Sequence, residues 1–288
     1  MTPLAASPDI QWTLEPAILL ALACYAGIYV WRFRHARREA GGRGAGPAQA
    51  IAFALALVVL AAATISPVAA LGEDNLFSMH MVQHVLLGDI APALLLLSLS
   101  RVIMRPATRR FAAVEKALGR LAHPAAFLLA WLALVYVWHV PALYDAATTT
   151  PALHALEHAT FFTAGLLFWW PLIQPVPMRR PLTGMQPFAY LASGKALLGV
   201  LGVFLTWSNT VAYEHYETVE RVWGLSALED QNLGGAIMMA EQSIVLAIAC
   251  VALFVRMIVR SEQEQVRRER LEDAEEERRP ELGEPAAT

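Results

Sequence analysis

Seven stretches of this chain are apolar for long enough to cross the hydrocarbon core of a bilayer, and nothing else narrows the fold as far. A spanning helix needs about 20 predominantly apolar residues, and only helices or closed barrels satisfy their backbone groups without water. The stretches lie at about 14–31, 50–70, 79–100, 124–140, 153–173, 187–207 and 233–257. The expected fold is all-α, a polytopic membrane helix bundle of seven transmembrane helices. Charge content agrees, at 16% against 57% hydrophobic residues, well under the roughly 25% charged residues of a soluble domain.

Loop charge sets the orientation. Bases cluster after the first stretch (Arg32, Arg34, Arg37, Arg38, Arg43), the third (Arg101 to Arg120), the fifth (Arg179, Arg180) and the seventh (Arg256, Arg260), while the alternate loops are acidic. Positive loops stay in the cytoplasm, which puts the N-terminus outside and the C-terminus inside. Trp12 and Trp31 bracket the first stretch as interfacial aromatics do. The N-terminal MTPLAASPDIQW lacks a basic n-region and a small-residue cleavage site, so the first span is expected to remain as an anchor.

Residues 1–260 are read as the transmembrane domain, including a cytoplasmic helix at about 108–122 whose Phe111, Val114, Leu118 and Leu121 recur at helical spacing. That helix lies on the membrane surface or packs on its own protein. Residues 261–288 are read as a charged cytoplasmic tail, partly helical and then disordered beyond Pro280, Gly283 and Pro285. Cys24 and Cys250 sit in apolar runs outside any CxxC pattern, so no disulfide framework is readable.

Chemistry concentrates in the histidines. His80 and His84 stand four apart, as do His154 and His158, and that spacing puts each pair on one helix face. With His139, the pairs fall at the outer ends of their spans. Neutral imidazole is the commonest protein metal ligand, and intramembrane ionisable groups are usually functional, so these five are read as metal ligands. His215, His35 and His123 are read as ordinary interfacial or hydrogen-bonded residues. Gln83, Glu157, Asp230, Gln231 and Met79 are supporting candidates that complete or orient the shell. Met81, Met238 and Met239 add soft thioethers, which suit copper(I), although methionine on a membrane helix is ordinarily apolar filling.

Deeper in the membrane, Asp89 lies nine residues below His80, about 13 Å at the helical rise, and Lys195 reaches a similar depth from the other side. The two are expected to pair, as a structural ion pair or as a conduit for protons or ions. Glu241 is a third group at that depth.

HMVQH followed by LLGDIAPALLLL, then WHVPALYDAA, HALEHATFFTAGLLFWWP and WGLSALEDQNLGGAIM, together resemble the CtaG-type cytochrome c oxidase assembly factors of bacteria over about residues 50–240. The chain departs from the pattern after GGAIM, where MAEQ follows. The resemblance implies a multi-pass protein of the bacterial inner membrane that helps mature oxidase copper centres. Its patterned residues correspond to His80, Gln83, His84, His139, His154, Glu157, His158, Asp230 and Gln231. The expected function is therefore an assembly factor, not an enzyme, that binds copper at the outer face and passes it to cytochrome c oxidase subunits or a periplasmic copper chaperone, with no nucleic-acid partner. The alternative is a zinc-dependent membrane hydrolase, because His154, Glu157 and His158 form an HxxEH pattern in which two histidines hold zinc and the glutamate activates water. A bis-histidine haem protein is a third possibility.

Overall fold

The computed structural model describes residues 12–278, with side chains described through Ala274. Residues 1–11 and the stretch holding Pro280, Gly283 and Pro285 lie outside the described residues. Among the described residues, all regular structure is helical. Proline opens most of it: α1 (Pro16–Glu39), α2 (Pro47–Thr64) and α3 (Pro67–Asp74) each carry proline in the first turn, where its missing N–H would have no helical partner and its fixed φ already suits a helix.

The helix α4 (Phe77–Ser98) is the central element, with 61% of its most apolar window buried against 6% for α1. Next come α5 (Thr108–Leu118), α6 (Pro124–Trp138), α7 (Pro141–Thr149), α8 (Pro151–Ile173), α9 (Gln186–Thr206), the single turn α10 (His215–Thr218) and α11 (Ala227–Arg278). The chain forms two compact units, Met1–Ser243 and Ile244–Thr288. In the second, exposed Ile244, Ile248, Val251 and Phe254 precede a helical run rich in charge.

Among the described residues, five helices are long and apolar enough to cross a membrane, or six if the 74° bend between Thr108–Ala122 and Pro124–Trp138 lies within one span. The fourth sequence stretch folds as a 15-residue helix, about 22 Å long and short of the roughly 30 Å core. The fifth is α8, whose apolar run is interrupted early by His154, Glu157 and His158.

Within α4 the residues Leu86–Ile90 form a π-helical turn, and the Ala91 N–H reaches back five residues to the Leu86 carbonyl. Pro92 lacks an N–H, so the regular bond to Gly88 O is missing as well. Helix α8 crosses at this point: a Cβ on Gly165 would come within 2.1 Å of Gly88 O and 2.8 Å of Pro92 Cγ, so only glycine permits the approach. Gly235 plays the same part between α11 and α9, where a Cβ would lie 2.5 Å from the Thr206 nitrogen.

Amphipathic α5 packs Phe111 on Trp170, ring centroids 5.0 Å apart, while Val114, and Leu121 in the turn that follows, stay more than half exposed.

Candidate metal centre

Helices α4 and α8 bring the two histidine pairs face to face. One ligand atom from each of His80, His154, Glu157 and His158 lies within 4.8 Å of all the others. Ring centroids are 5.5 Å apart for His80–His154, 6.1 Å for His80–His158 and 4.1 Å for His154–His158. His84 borders this set, its Nε2 2.8 Å from His80 Nε2 and 3.6 Å from Glu157 Oε1, with its ring stacked on Phe161 at 4.3 Å. His139 follows the last turn of α6, its ring 6.2 Å from that of His84.

The donor set fits a metal ion. His154 Nε2, His158 Nε2 and both Glu157 carboxylate oxygens are buried without a hydrogen-bond partner, although buried polar groups are nearly always paired. One cation could take a nitrogen from each histidine and an oxygen from Glu157. Bonds of about 2.0–2.2 Å around a four-coordinate ion place donors roughly 3.4 Å apart, so the widest pairs close by about an ångström to grip one. Three imidazoles and a carboxylate suit copper or zinc.

The hydrogen-bond network also assigns the His80 tautomer. Burial holds the Tyr216 hydroxyl well above the ordinary phenol range, so it stays protonated. Its one proton goes to Gly72 O, 2.8 Å away, because a carbonyl can only accept. His80 Nδ1, 3.0 Å from the same hydroxyl, must then donate, which leaves Nε2 as the lone-pair nitrogen facing the site. Tyr144, 3.3 Å from Tyr216, supplies a second donor to it.

The supporting candidates divide. Gln83 donates to Ala63 O and to Glu73 Oε1, and Glu73 in turn lies 3.9 Å from His154 Nδ1; Gln83 thus reaches the site through Glu73. Asp230 accepts from the Phe77 and Ser78 N–H groups at 2.7 and 3.1 Å, which caps α4 just ahead of His80 and puts a negative charge at the positive end of that helix. Gln231 ties Ala212 N and Thr210 O of the preceding loop. Met79 is half-buried and makes no side-chain hydrogen bond among the described residues, whereas Met81 is fully buried. His215 Nε2 meets Glu73 O, His35 pairs with Glu39, and His123 caps α6. Tyr216, Tyr144 and Glu73 are absent from the sequence-based site; AYEHYE, where two tyrosines flank His215, was the one available sign of the first.

Beneath the histidines, Lys195 donates to Asp89 and lies 3.4 Å from Glu241 Oε1. Trp169 Nε1 donates to Asp89 at 2.5 Å, Gln242 donates to Glu241, and the ammonium faces the rings of Phe168, Trp169 and Trp131 at 5.6–5.9 Å. All three charged groups are buried.

Fold and site together define a helical membrane-type protein with a buried histidine–carboxylate centre. The family described as cytochrome c oxidase caa3 assembly factor (Caa3_CtaG) matches residues 27–260, and the chain belongs to it. The uncharacterized proteins ML1998 of Mycobacterium leprae and Mb0105 of Mycobacterium bovis are similar to it. The first is 25% identical over 91% of this chain and 42% of its own length, the second 27% identical over 62% and 29%. The chain thus spans less than half the length of these curated relatives. No solved structure matches it.

Proposed function

We propose that the chain holds copper at the outer face of the bacterial inner membrane and passes it to a cytochrome c oxidase subunit or a periplasmic copper chaperone. In this reading seven helices cross the membrane, the N-terminus is outside, and the histidine centre opens to the outer side. One observation carries it: the cluster of buried, unpartnered nitrogens and carboxylate oxygens that is arranged as a cation's ligands would be.

A gradient of exposure supports transfer. The side chains run from Glu73 at 43% exposed, through His154 at 16%, to His84 and Glu157 at 4% and 1%. Glu73 and His154 meet an incoming ion at the rim, and His80, His158 and Glu157 take it into the interior. Imidazole and carboxylate exchange ligands without the closed thiolate cage of a structural site.

The test is the metal content of the detergent-purified protein, with oxidase activity of the cells, for wild type and for His80→Ala/His84→Ala and His154→Ala/His158→Ala. Copper lost from the protein together with loss of oxidase copper loading is the expected result. Unchanged copper content and unimpaired oxidase would overturn it, and zinc in place of copper would turn the reading toward the HxxEH chemistry.

A further inference from the structure

Below the four-residue centre, a cavity of about 30 Å³ is lined by Met81, His84, His139 and Met238, with Asp89 and Glu241 at its wall. It has room for about one or two water-sized occupants. Two nitrogens on its lining residues have no hydrogen-bond partner, His84 Nδ1 and His139 Nε2, and both rings are buried.

The tautomers can be followed from the bonds already described. His80 Nε2 carries the lone pair, so the 2.8 Å contact requires His84 Nε2 to donate to it. A neutral His84 then has its one nitrogen lone pair on Nδ1. His139 Nδ1 lies 2.8 Å from the Val135 carbonyl and must donate, which leaves its lone pair on Nε2. The two lone pairs therefore fall on the two buried nitrogens that no donor satisfies. Two buried thioethers share the same cavity wall, and the carboxylates there outnumber the single ammonium of Lys195.

We propose that this cavity is a second, inner site for a soft monovalent cation, held by His84 Nδ1, His139 Nε2 and the sulfur of Met81 or Met238. A water would donate to both nitrogens but take nothing from the thioethers, whereas two imidazoles with a thioether are together a ligand set for copper(I). His84 lies between the two sets: its Nε2–H, 2.8 Å from His80 Nε2 and 3.6 Å from Glu157 Oε1, turns to the carboxylate when an outer ion takes the His80 lone pair, and its Nδ1 belongs to the inner set. The inference extends the proposed copper function and is separable from it.

The experiment titrates the full-length, detergent-purified protein with copper(I) under reducing conditions against a competing chelator, and reads the ligands by X-ray absorption. Wild type is expected to hold two equivalents and to show copper–sulfur scattering. Met81→Leu/Met238→Leu, which nearly conserves volume, should lose one equivalent and the sulfur signal. His154→Ala/His158→Ala should lose the other equivalent and keep the sulfur. A single sulfur-free ion in wild type, or a sulfur signal unmoved by the leucine pair, overturns the inner site and leaves the outer reading standing. One sulfur-bound ion indifferent to His154 and His158 sustains the inner site and removes the outer. No bound copper removes both. The wild-type spectrum decides by itself if the leucine variant does not fold.

Discussion

Replacing Lys195 with methionine takes away the one ammonium facing two buried carboxylates. Lys195, Asp89 and Glu241 are 1%, 4% and 9% exposed, so bulk solvent does not screen the charges left behind. Breaking a buried ion pair by removing one partner costs about 3–5 kcal/mol, which corresponds to a roughly 10²–10⁴-fold loss in the folding equilibrium at about 1.4 kcal/mol per decade. Neutralising the whole set with Asp89→Asn, Lys195→Met and Glu241→Gln behaves differently. The asparagine carbonyl still accepts the Trp169 N–H, no charge remains uncompensated, and the triple variant should fall within about 1 kcal/mol of wild type or exceed it. The assay is reversible unfolding of the detergent-solubilised protein by increasing SDS, followed by tryptophan fluorescence. Equal destabilisation of the single and triple variants would refute the claim that uncompensated charge, and not lost packing of the lysine stem, sets the cost.

Gly165→Ala forces a methyl onto the Gly88 carbonyl, and overpacking of this kind costs about 1–3 kcal/mol or more; an unchanged unfolding midpoint would contradict it. Asp230→Ala strips the acceptor from two α4 N–H groups and should lower stability by about 1–2 kcal/mol, with Asp230→Asn recovering part in the same titration. Tyr216→Phe removes the partner that fixes the His80 tautomer, so metal affinity should drop about 10–100-fold while circular dichroism stays constant; equal affinity in a chelator competition would rule out that orienting role.

The i, i+4 histidine pairs were legible because that spacing carries its own geometry: rings four residues apart share a helix face wherever the helix goes. Depth along a span was legible too, which is why Asp89 and Lys195 could be considered together. Rotation between helices was not. Lys195 meets Glu241 only because Gly202 and Gly235 let α9 and α11 approach closely, a contact that hydropathy cannot encode. Nor could spacing reveal that Asp230, 153 residues from Phe77 along the chain, would cap α4, or that the loop after α9 folds Tyr216 onto His80. The fourth stretch starts where composition put it, since His123 and Pro124 begin a new helix there, but the 74° bend before it could not be read from composition.

The wide turn at Leu86–Ile90 lets one helix serve two chemistries. With 3.6 residues per turn, Asp89 would stand about 140° around the axis from His84; a looser winding takes up part of that angle, so imidazole above and carboxylate below open onto one interior. Such a turn amounts to a single residue slipped into the winding. Removing it would swing everything beneath Gly88 out of alignment while the histidines kept their places.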